Sequence, residues 1–277
     1  MKWYSVLIVM GMICGCQPPE LTLDVRAVDA TQQAVRCGEP FHATSTHTLA
    51  LEKLRFYLHD IQVRDESGRW HEVQPVQGTS VGQHGVWLVD LDDQACDPKY
   101  SPETSQRFTF KVPTASPPFK GLRVRLGVPF ALNHKDPLKA EPHLAQTSMH
   151  WGWQAGYRFF RMDTHLVDDK DKSFDVHLGS TGCEGEIGDI SGCSRPNRPV
   201  FEFSGELFPG DSRVEVLDLN LSTLLHGVDW SSPEGCMGGP DGNDCRAILK
   251  NLNVDVDTGE QLTAEHKQRV FSVGKTH

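Results

Sequence analysis

The chain has 277 residues, of which 37 are acidic and 27 basic, so its formal net charge at pH 7 is −10. An acidic chain without a cluster of Lys and Arg lacks the charges that neutralise phosphates, which argues against a nucleic-acid partner. The length suits one large β domain or two small ones. Because no internal repeat, low-complexity tract or composition shift marks a boundary, we expect residues 16–277 to form one domain.

The N-terminal residues predict export. Lys2 supplies a positive charge, and the apolar run Tyr4–Ile13 is too short to span a bilayer comfortably. The run ends in Ile13-Cys14-Gly15-Cys16, which is similar to the bacterial lipoprotein signal, where cleavage precedes an acylated cysteine. We therefore expect residues 1–15 to be a lipoprotein signal peptide and Cys16 to be lipidated, so that the membrane is contacted through a lipid anchor only. An ordinary secretory signal is the alternative.

Short strands separated by turns are predicted along the rest of the chain. Alternating apolar and polar residues predict a strand at Leu21–Ala27, and a turn at 65–68 predicts a hairpin between Leu51–Val63 and the segment from Trp70. Further strands are predicted at Val86–Asp92, Gln106–Val112, Gly121–Phe130, Tyr157–Met162, Ser173–Gly179, Val200–Leu207, Arg213–Leu219 and Gln268–Val273. A short helix is predicted at Cys245–Leu252. The fold class is therefore all-β: a single-domain sandwich or distorted barrel with long loops, one or two short helices at most, and disulfide staples.

Two patterns in these segments predict which side chains share a face. Regular alternation in Leu51–Val63 places Tyr57, His59 and Ile61 on one side of the strand. The same rule places Met149, Trp151 and Trp153 together. Between residues 131 and 148 the strand pattern stops and two prolines exclude a long helix, so we expect a long functional loop there.

The predicted compartment decides how the cysteines are interpreted. Gln17, rather than Asp, after the lipidated cysteine is similar to lipoproteins sorted to an outer membrane, so we expect the protein in the periplasm or at the cell surface. Thiols usually pair in such oxidising surroundings. We expect Cys37 to pair with Cys96 and the four later cysteines to pair among themselves; a thiolate metal site is the alternative. The later cysteines are Cys183, Cys193, Cys236 and Cys245.

Three histidines near the tryptophans are candidate metal ligands. His134 lies in the long loop, His150 precedes Trp151, and a regular strand points His177 away from the core. Neutral imidazoles beside soft or oxidisable residues in an oxidising compartment favour copper, and then zinc. A lone histidine is nevertheless more often a polar residue than a ligand, and paired tryptophans are more often core residues.

Three recognisable enzyme and cofactor motifs are absent from the sequence. It contains no H-E-x-x-H, no phosphate loop and no C-x-x-C-H haem attachment. We therefore expect neither one of these enzyme activities nor a haem group in this chain.

Several motifs follow one another in a distinctive order. They are LRFYLHDIQV at 54–63, LGVPFALNH at 126–134, MHWGWQAGYRFF at 149–160 and HLGSTGC at 177–183, followed by Cys193, Pro196-Asn197-Arg198, Cys236 and Cys245. This order resembles the MbnP-like family, the four-Cys-motif proteins of the metallo-mystery pair, and it covers most of the mature chain. Four of the cysteines correspond to the four of the family: Cys183, Cys193, Cys236 and Cys245.

The resemblance implies a copper-associated protein that is a substrate and not an enzyme. Its partner would be an MbnH-like di-haem enzyme of the bacterial cytochrome c peroxidase type, which oxidises a tryptophan of the substrate protein to kynurenine. Trp151 or Trp153 would be modified, and the copper ligands would be His59, His134 and His177, with His150 ranked lower. The implied role is copper binding or homeostasis. The alternative is a metal-free structural or solute-binding β-sandwich lipoprotein.

Overall fold

The computed structural model describes residues 18–76, 83–97, 106–209, 213–263 and 268–274. The predicted signal peptide and Cys16 lie outside these residues. Within them, strands supply most of the regular structure, and three short α-helices are present where one or two were predicted. The all-β, disulfide-stapled fold class is confirmed. In the described ranges, no helix has the length and apolar character needed to cross a membrane.

The strands are short, with one exception that organises the fold. They are β1 Glu20–Val28, β2 Pro40–His42, β3 Thr48–Arg64, β4 Trp70–Glu72, β5 Gln74–Pro75, β6 Val86–Asp90, β7 Arg107–Lys111, β8 Phe119–Leu126, β9 His150–Gly152, β10 Gly156–Tyr157, β11 Phe160–Leu166, β12 Asp169–Ser173, β13 Val176–Leu178, β14 Thr181–Glu186, β15 Asp189–Arg195, β16 Val200–Leu207, β17 Val214–Asn220 and β18 Phe271–Val273. The helices are α1 Phe130–Asn133, α2 Leu221–Leu224 and α3 Asn243–Asn251.

The 17-residue strand β3 is the centre of a nine-stranded sheet. It pairs with β2, β4, β6, β8 and β11, while β12 and β13 pair with β11, and β16 pairs with β8. A second sheet has the order β18-β17-β1-β7-β5, in which β1 and β17 are parallel. Two separate hairpins, β9–β10 and β14–β15, complete the described strands.

The two large sheets enclose one apolar core. Leu23 of β1, Leu217 of β17, Phe56 of β3 and Leu122 of β8 all have 0% exposure within it. Burial of such a side chain contributes roughly 1.5–3 kcal/mol to stability, so this interface accounts for the sandwich. The outer side of β3 is covered by a second, smaller core, which contains Leu144 of the predicted loop and the residues Val128 and Met149 that flank the loop. Met149 therefore does not share a face with the two tryptophans, because the segment before β9 is a short 3-10 turn and not a strand.

The prediction that Ile61 shares a face with Tyr57 and His59 is wrong. Asp60 adopts a left-handed backbone conformation, with φ +48°, and the pairing of β3 with β8 shifts between His59 and Gln62. This bulge reverses the alternation, because one extra residue exchanges the two faces. Ile61 consequently joins the main core, whereas Tyr57 belongs to the second core.

Three predicted strands differ in extent from their sequence patterns. The predicted strand Gly121–Phe130 ends at Leu126, and Phe130 begins α1. The segments predicted as Tyr157–Met162 and Ser173–Gly179 are each divided between two strands. The hairpin between β3 and β4 and the strand Val200–Leu207 are confirmed.

The disulfide predictions are confirmed. Cys37 pairs with Cys96 across 59 residues of sequence. The four later cysteines pair among themselves, as Cys183–Cys193 across β14–β15 and as Cys236–Cys245 at α3. All six thiols predicted to survive maturation are therefore used in disulfides, and the alternative of a thiolate metal site does not apply to this oxidised form.

Candidate functional site

Both candidate tryptophans line one open cavity. Trp151 lies in β9, and Trp153 lies in the turn that joins β9 to β10. The cavity has a volume of about 680 Å³, and its remaining wall comes from the segment before and within β14, together with the exposed thioether of Met237. The lining residues are Trp151, Gly152, Trp153, Gln154, Ala155, Ser180, Thr181, Gly182, Cys183 and Met237. The cavity wall therefore carries two oxidisable rings and no charged side chain.

Trp151 is half-buried and packs closely on backbone. A Cβ atom added to Gly179 would lie 2.8 Å from Cζ3 of the Trp151 ring, so glycine is required for this approach. The guanidinium carbon of Arg158 lies 5.5 Å from the centroid of the Trp151 ring. A cation near an indole is attracted to its electrons, and it disfavours removal of one of them.

Trp153 is more accessible, with 40% of its surface exposed. In the part of the chain that the structure describes, no Arg or Lys lies over its ring. Its backbone carbonyl accepts a hydrogen bond from Nδ1 of His134 at 3.4 Å. This hydrogen bond links the turn between β9 and β10 directly to the long loop.

Asn133 anchors this turn, and sequence reasoning did not select it. Its side chain has 0% exposure, its Oδ1 accepts from the backbone N–H of Tyr157 at 3.0 Å, and its Nδ2 donates to the carbonyl of Ala155 at 3.4 Å. Gly156 passes so close that an added Cβ would meet Asn133 at 2.4 Å. The only sequence signal for this role was the position of Asn133 next to a candidate histidine.

His134 lies between the tryptophan turn and a disulfide. Its Nε2 is 3.1 Å from Nδ2 of Asn133 and 3.6 Å from Sγ of Cys193. Because the amide can only donate, these contacts favour a proton on Nδ1 and a lone pair on Nε2. Burial lowers the pKa of His134, which keeps the ring neutral and suited to metal binding.

His59 is the most buried of the predicted ligands, with 2% exposure. Its Nδ1 lies 3.2 Å from a carboxylate oxygen of Asp60, without hydrogen-bond geometry, and its Nε2 has no hydrogen-bond partner among the described residues. Burial lowers the pKa of His59 to about 4, and this outweighs the opposite effect of Asp60. The result is a neutral imidazole with an unused buried nitrogen, a feature that native proteins rarely leave unexplained.

His177 points away from the core, as its strand pattern predicts. Its Nε2 lies 2.5 Å from Oδ1 of Asp163, which also binds Arg161. Although burial opposes it, hydrogen bonding from His177 and Arg161 lowers the pKa of Asp163 to about 2. Orientation of a histidine by a carboxylate on one nitrogen is common at metal sites, where the other nitrogen is the ligand.

His150 contacts the first of two neighbouring tyrosine rings in the second core. Its ring lies 5.1 Å from that of Tyr157, which in turn lies 5.8 Å from Tyr57. The Nε2 atom of His150 is buried without a hydrogen-bond partner in the described ranges, and burial lowers the pKa of His150. Burial also raises the pKa of Tyr157 to about 12. His150 therefore has the same neutral, unpartnered character as His59.

The described structure does not bring the predicted histidines into one ligand set. Among the residues described, two groups of three or more His, Cys, Asp or Glu have ligand atoms within 4.8 Å of one another. They are His134 with Cys183 and Cys193, and Asp93 with Cys37 and Cys96. Neither contains two of the predicted histidines, and the sulfurs of both are in disulfides. The assignment of His59, His134 and His177 as copper ligands stays a prediction.

Comparison with known proteins supplies the family. The sequence profile of the MbnP family matches residues 18–238. Among solved structures, the chain is similar to MbnP from Methylosinus trichosporium with a TM-score of 0.76 and 22% sequence identity, over 93% of this chain and 99% of that one. At this identity the structural match shows the fold alone. No curated protein matches the sequence significantly. Because the profile extends over most of the chain and includes the tryptophan turn, the chain belongs to the MbnP family.

Proposed function

We propose that the protein is a copper-binding lipoprotein of the periplasm or cell surface, and that a di-haem, peroxidase-like partner oxidises one of its tryptophans to kynurenine. Family membership supports a role in the methanobactin and copper system, and the family is not a known family of enzymes. The observation that carries the proposal is the shared cavity of Trp151 and Trp153, which exposes two oxidisable rings, with His134 hydrogen-bonded to the backbone of Trp153.

The contacts favour Trp153 as the modified residue. Oxidation of an indole begins with loss of an electron, and a nearby guanidinium makes the resulting positive charge less stable. Trp151 has such a guanidinium from Arg158 at 5.5 Å, whereas Trp153 has none among the described residues and is 40% exposed. Two molecules of peroxide, reduced to water at the di-haem partner, would supply two oxygen atoms that break the C2–C3 bond of Trp153 and give N-formylkynurenine. Hydrolysis of the formyl group then releases formate and leaves an aryl amine and a ketone.

The predicted histidines have the donor chemistry that copper prefers, although among the described residues their nitrogens do not form one ligand set. Copper accepts neutral imidazole nitrogens, and an aryl amine from a modified Trp153 would add another nitrogen. His134 contacts this turn, His59 has a buried Nε2 without a hydrogen-bond partner among the described residues, and His177 is oriented by a carboxylate. We propose that these histidines hold the ion, which would then act either as a redox-active centre or as stored copper.

A solute-binding role is the second candidate, and the cavity itself favours it. Its volume of about 680 Å³ and its uncharged lining suit a small organic molecule held against the indoles. In this case the tryptophans are recognition residues and stay unmodified.

Mass spectrometry of the protein purified from cells that express the di-haem enzyme separates these proposals. The peptide containing Trp151 and Trp153 is expected to show the change produced when an indole loses one carbon and gains one oxygen. The variant W153F is expected to lose this change, and W151F to retain it. A wholly unmodified peptide from these cells contradicts the oxidation proposal and favours solute binding.

Copper titration of the modified protein tests the ligands. The double variant H134A/H177A is expected to lose most of its copper, because it lacks two of the proposed imidazoles. The exposed histidines His42 and His226 provide the matched control, H42A/H226A, which is expected to bind as the parent does. Full retention of copper by H134A/H177A would assign the metal to other residues.

A further inference from the structure

The hairpin β14–β15 stands apart from both large sheets. Its strands pair with each other and, in the described structure, with no strand of either sheet. Its tip carries Ile187, which is 73% exposed. A solvated isoleucine at the end of a hairpin contributes little to the core, and because single exposed apolar residues are common, its role rests on the features around it.

The tip also carries an unfavourable arrangement of charge. Glu184, Glu186 and Asp189 are exposed, and none of these carboxylates has an ion-pair or hydrogen-bond partner in the part of the chain that the structure describes. Glu186 and Asp189 are directly opposite each other across the hairpin. Like charges in such a cross-strand pair destabilise it, and an approaching cationic surface would relieve the repulsion.

The base of the hairpin is held rigidly beside the tryptophans. The Cys183–Cys193 disulfide joins the two strands, and Nε2 of Gln154 donates to the carbonyl of Cys183 at 3.1 Å. On the other strand, Sγ of Cys193 lies 3.6 Å from Nε2 of His134. Rigid attachment lowers the entropy lost on binding, so the hairpin is preorganised for contact with another molecule.

Exposed apolar side chains continue from the base of the hairpin around the cavity. Met237 is 51% exposed and lines the cavity with Trp153, while Phe130 is 41% exposed and lies 5.2 Å from the ring of His134. These residues lie by the base of the hairpin, whereas Ile187 and the carboxylates lie towards its tip. Exposed apolar side chains with charged residues nearby are typical of a protein interface with a polar rim.

We propose that the hairpin β14–β15 is a docking arm for the oxidising partner, which presents a basic rim around an apolar patch that receives Ile187. This inference rests on the proposed function, because the docked molecule is the partner of that reaction. Electrostatic attraction to the three carboxylates guides the encounter, and the apolar contact holds the partner over Trp153.

Binding of the purified di-haem partner to the full-length protein tests the arm. The triple variant E184Q/E186Q/D189N is expected to raise Kd at low ionic strength at least about tenfold, and the difference is expected to shrink at high salt. The variant I187S is expected to weaken binding without changing the salt dependence. At saturating partner, the triple variant is expected to give the same kynurenine yield as the parent.

The matched control removes equal charge elsewhere. Glu39, Glu72 and Asp171 are exposed and lack ion pairs within the described ranges, so E39Q/E72Q/D171N is expected to stay within about twofold of the parent. Unchanged binding by the triple tip variant, or self-association of the parent that I187S abolishes, overturns the docking arm. Absence of both binding and kynurenine formation in the parent contradicts the proposed function itself.

Discussion

At the scale of single residues, burial decides which histidines are chemically distinctive. His59 and His150 each carry a buried Nε2 without a hydrogen-bond partner among the described residues. His177, by contrast, is hydrogen-bonded to Asp163. Desolvation lowers the pKa of both His59 and His150, so they stay neutral where an exposed histidine is partly protonated. Such rings are available as nitrogen ligands.

We expect His59 to make the stability of the metal-free protein pH-dependent. The folded state holds its pKa at about 4, below the ordinary value of 6.5, so the unfolded chain binds more protons between these values. The free energy of unfolding therefore falls as pH decreases from 6.5 towards 4, by up to about 3 kcal/mol.

Denaturant unfolding at several pH values measures this effect. The variant H59L is expected to remove most of the slope between pH 6.5 and 4, whatever its absolute stability. The exposed His42 serves as the control, because H42Q is expected to leave the slope unchanged. An H59L protein with the parent's slope would assign the pH dependence to other groups.

At the scale of elements, the site is an assembly of a loop, a turn and a hairpin. Asn133 at the end of α1 holds the turn between β9 and β10, and His134 joins that turn to the disulfide of β14–β15. No single regular element contains the site. The connections between elements therefore control the positions of the two tryptophans.

The variant N133A tests this coupling. Removal of Oδ1 leaves the buried N–H of Tyr157 without its acceptor, which is expected to cost about 1–3 kcal/mol of unfolding free energy. Hydrogen exchange of the Tyr157 amide is expected to accelerate. In the control N251A, which loses bonds to the carbonyls of Leu224 and His226, stability also falls but the Tyr157 amide is unaffected. Equal Tyr157 protection in N133A and the parent would contradict the coupling.

At the scale of the whole molecule, two cores share the strand β3. One side of β3 packs into the sandwich, and the other is closed by the loop that carries His134. The loop is thus part of the folded unit, and its position is determined by the second core. One disulfide joins cysteines 59 residues apart, whereas the other two close separations of 10 and 9 residues.

We expect the separation to decide how much each disulfide stabilises the fold. Loss of Cys37–Cys96, which closes 59 residues, is expected to cost about 4 kcal/mol, against about 3 kcal/mol for Cys183–Cys193, which closes 10. The reason is the greater entropy that a longer closed loop removes from the unfolded chain. Denaturation of C37A/C96A and C183A/C193A measures the two losses. A larger loss for the short loop would contradict this order.

The sequence by itself determined the family and the all-β class, and it indicated that the four later cysteines pair among themselves, while the structure assigned the pairs Cys183–Cys193 and Cys236–Cys245. Local alternation was sufficient to predict strands such as Val200–Leu207, because successive residues of a half-buried strand face the core and the solvent in turn. The ordered motifs identified the family because they are linear, and the profile match over residues 18–238 confirms it. The oxidising compartment expected from the N-terminus indicated that the cysteines pair.

Only the tertiary structure decided how the site is arranged. The bulge at Asp60 moved Ile61 to the other face of β3, since backbone conformation there depends on the pairing with β8. Arg158 over Trp151, and the contact of His134 with Cys193, join residues that are placed by separate elements. The candidate tryptophans were recognisable as a linear motif. Their shared cavity, and the guanidinium that lies near only one of the two rings, arise from long-range packing, which no local pattern encodes.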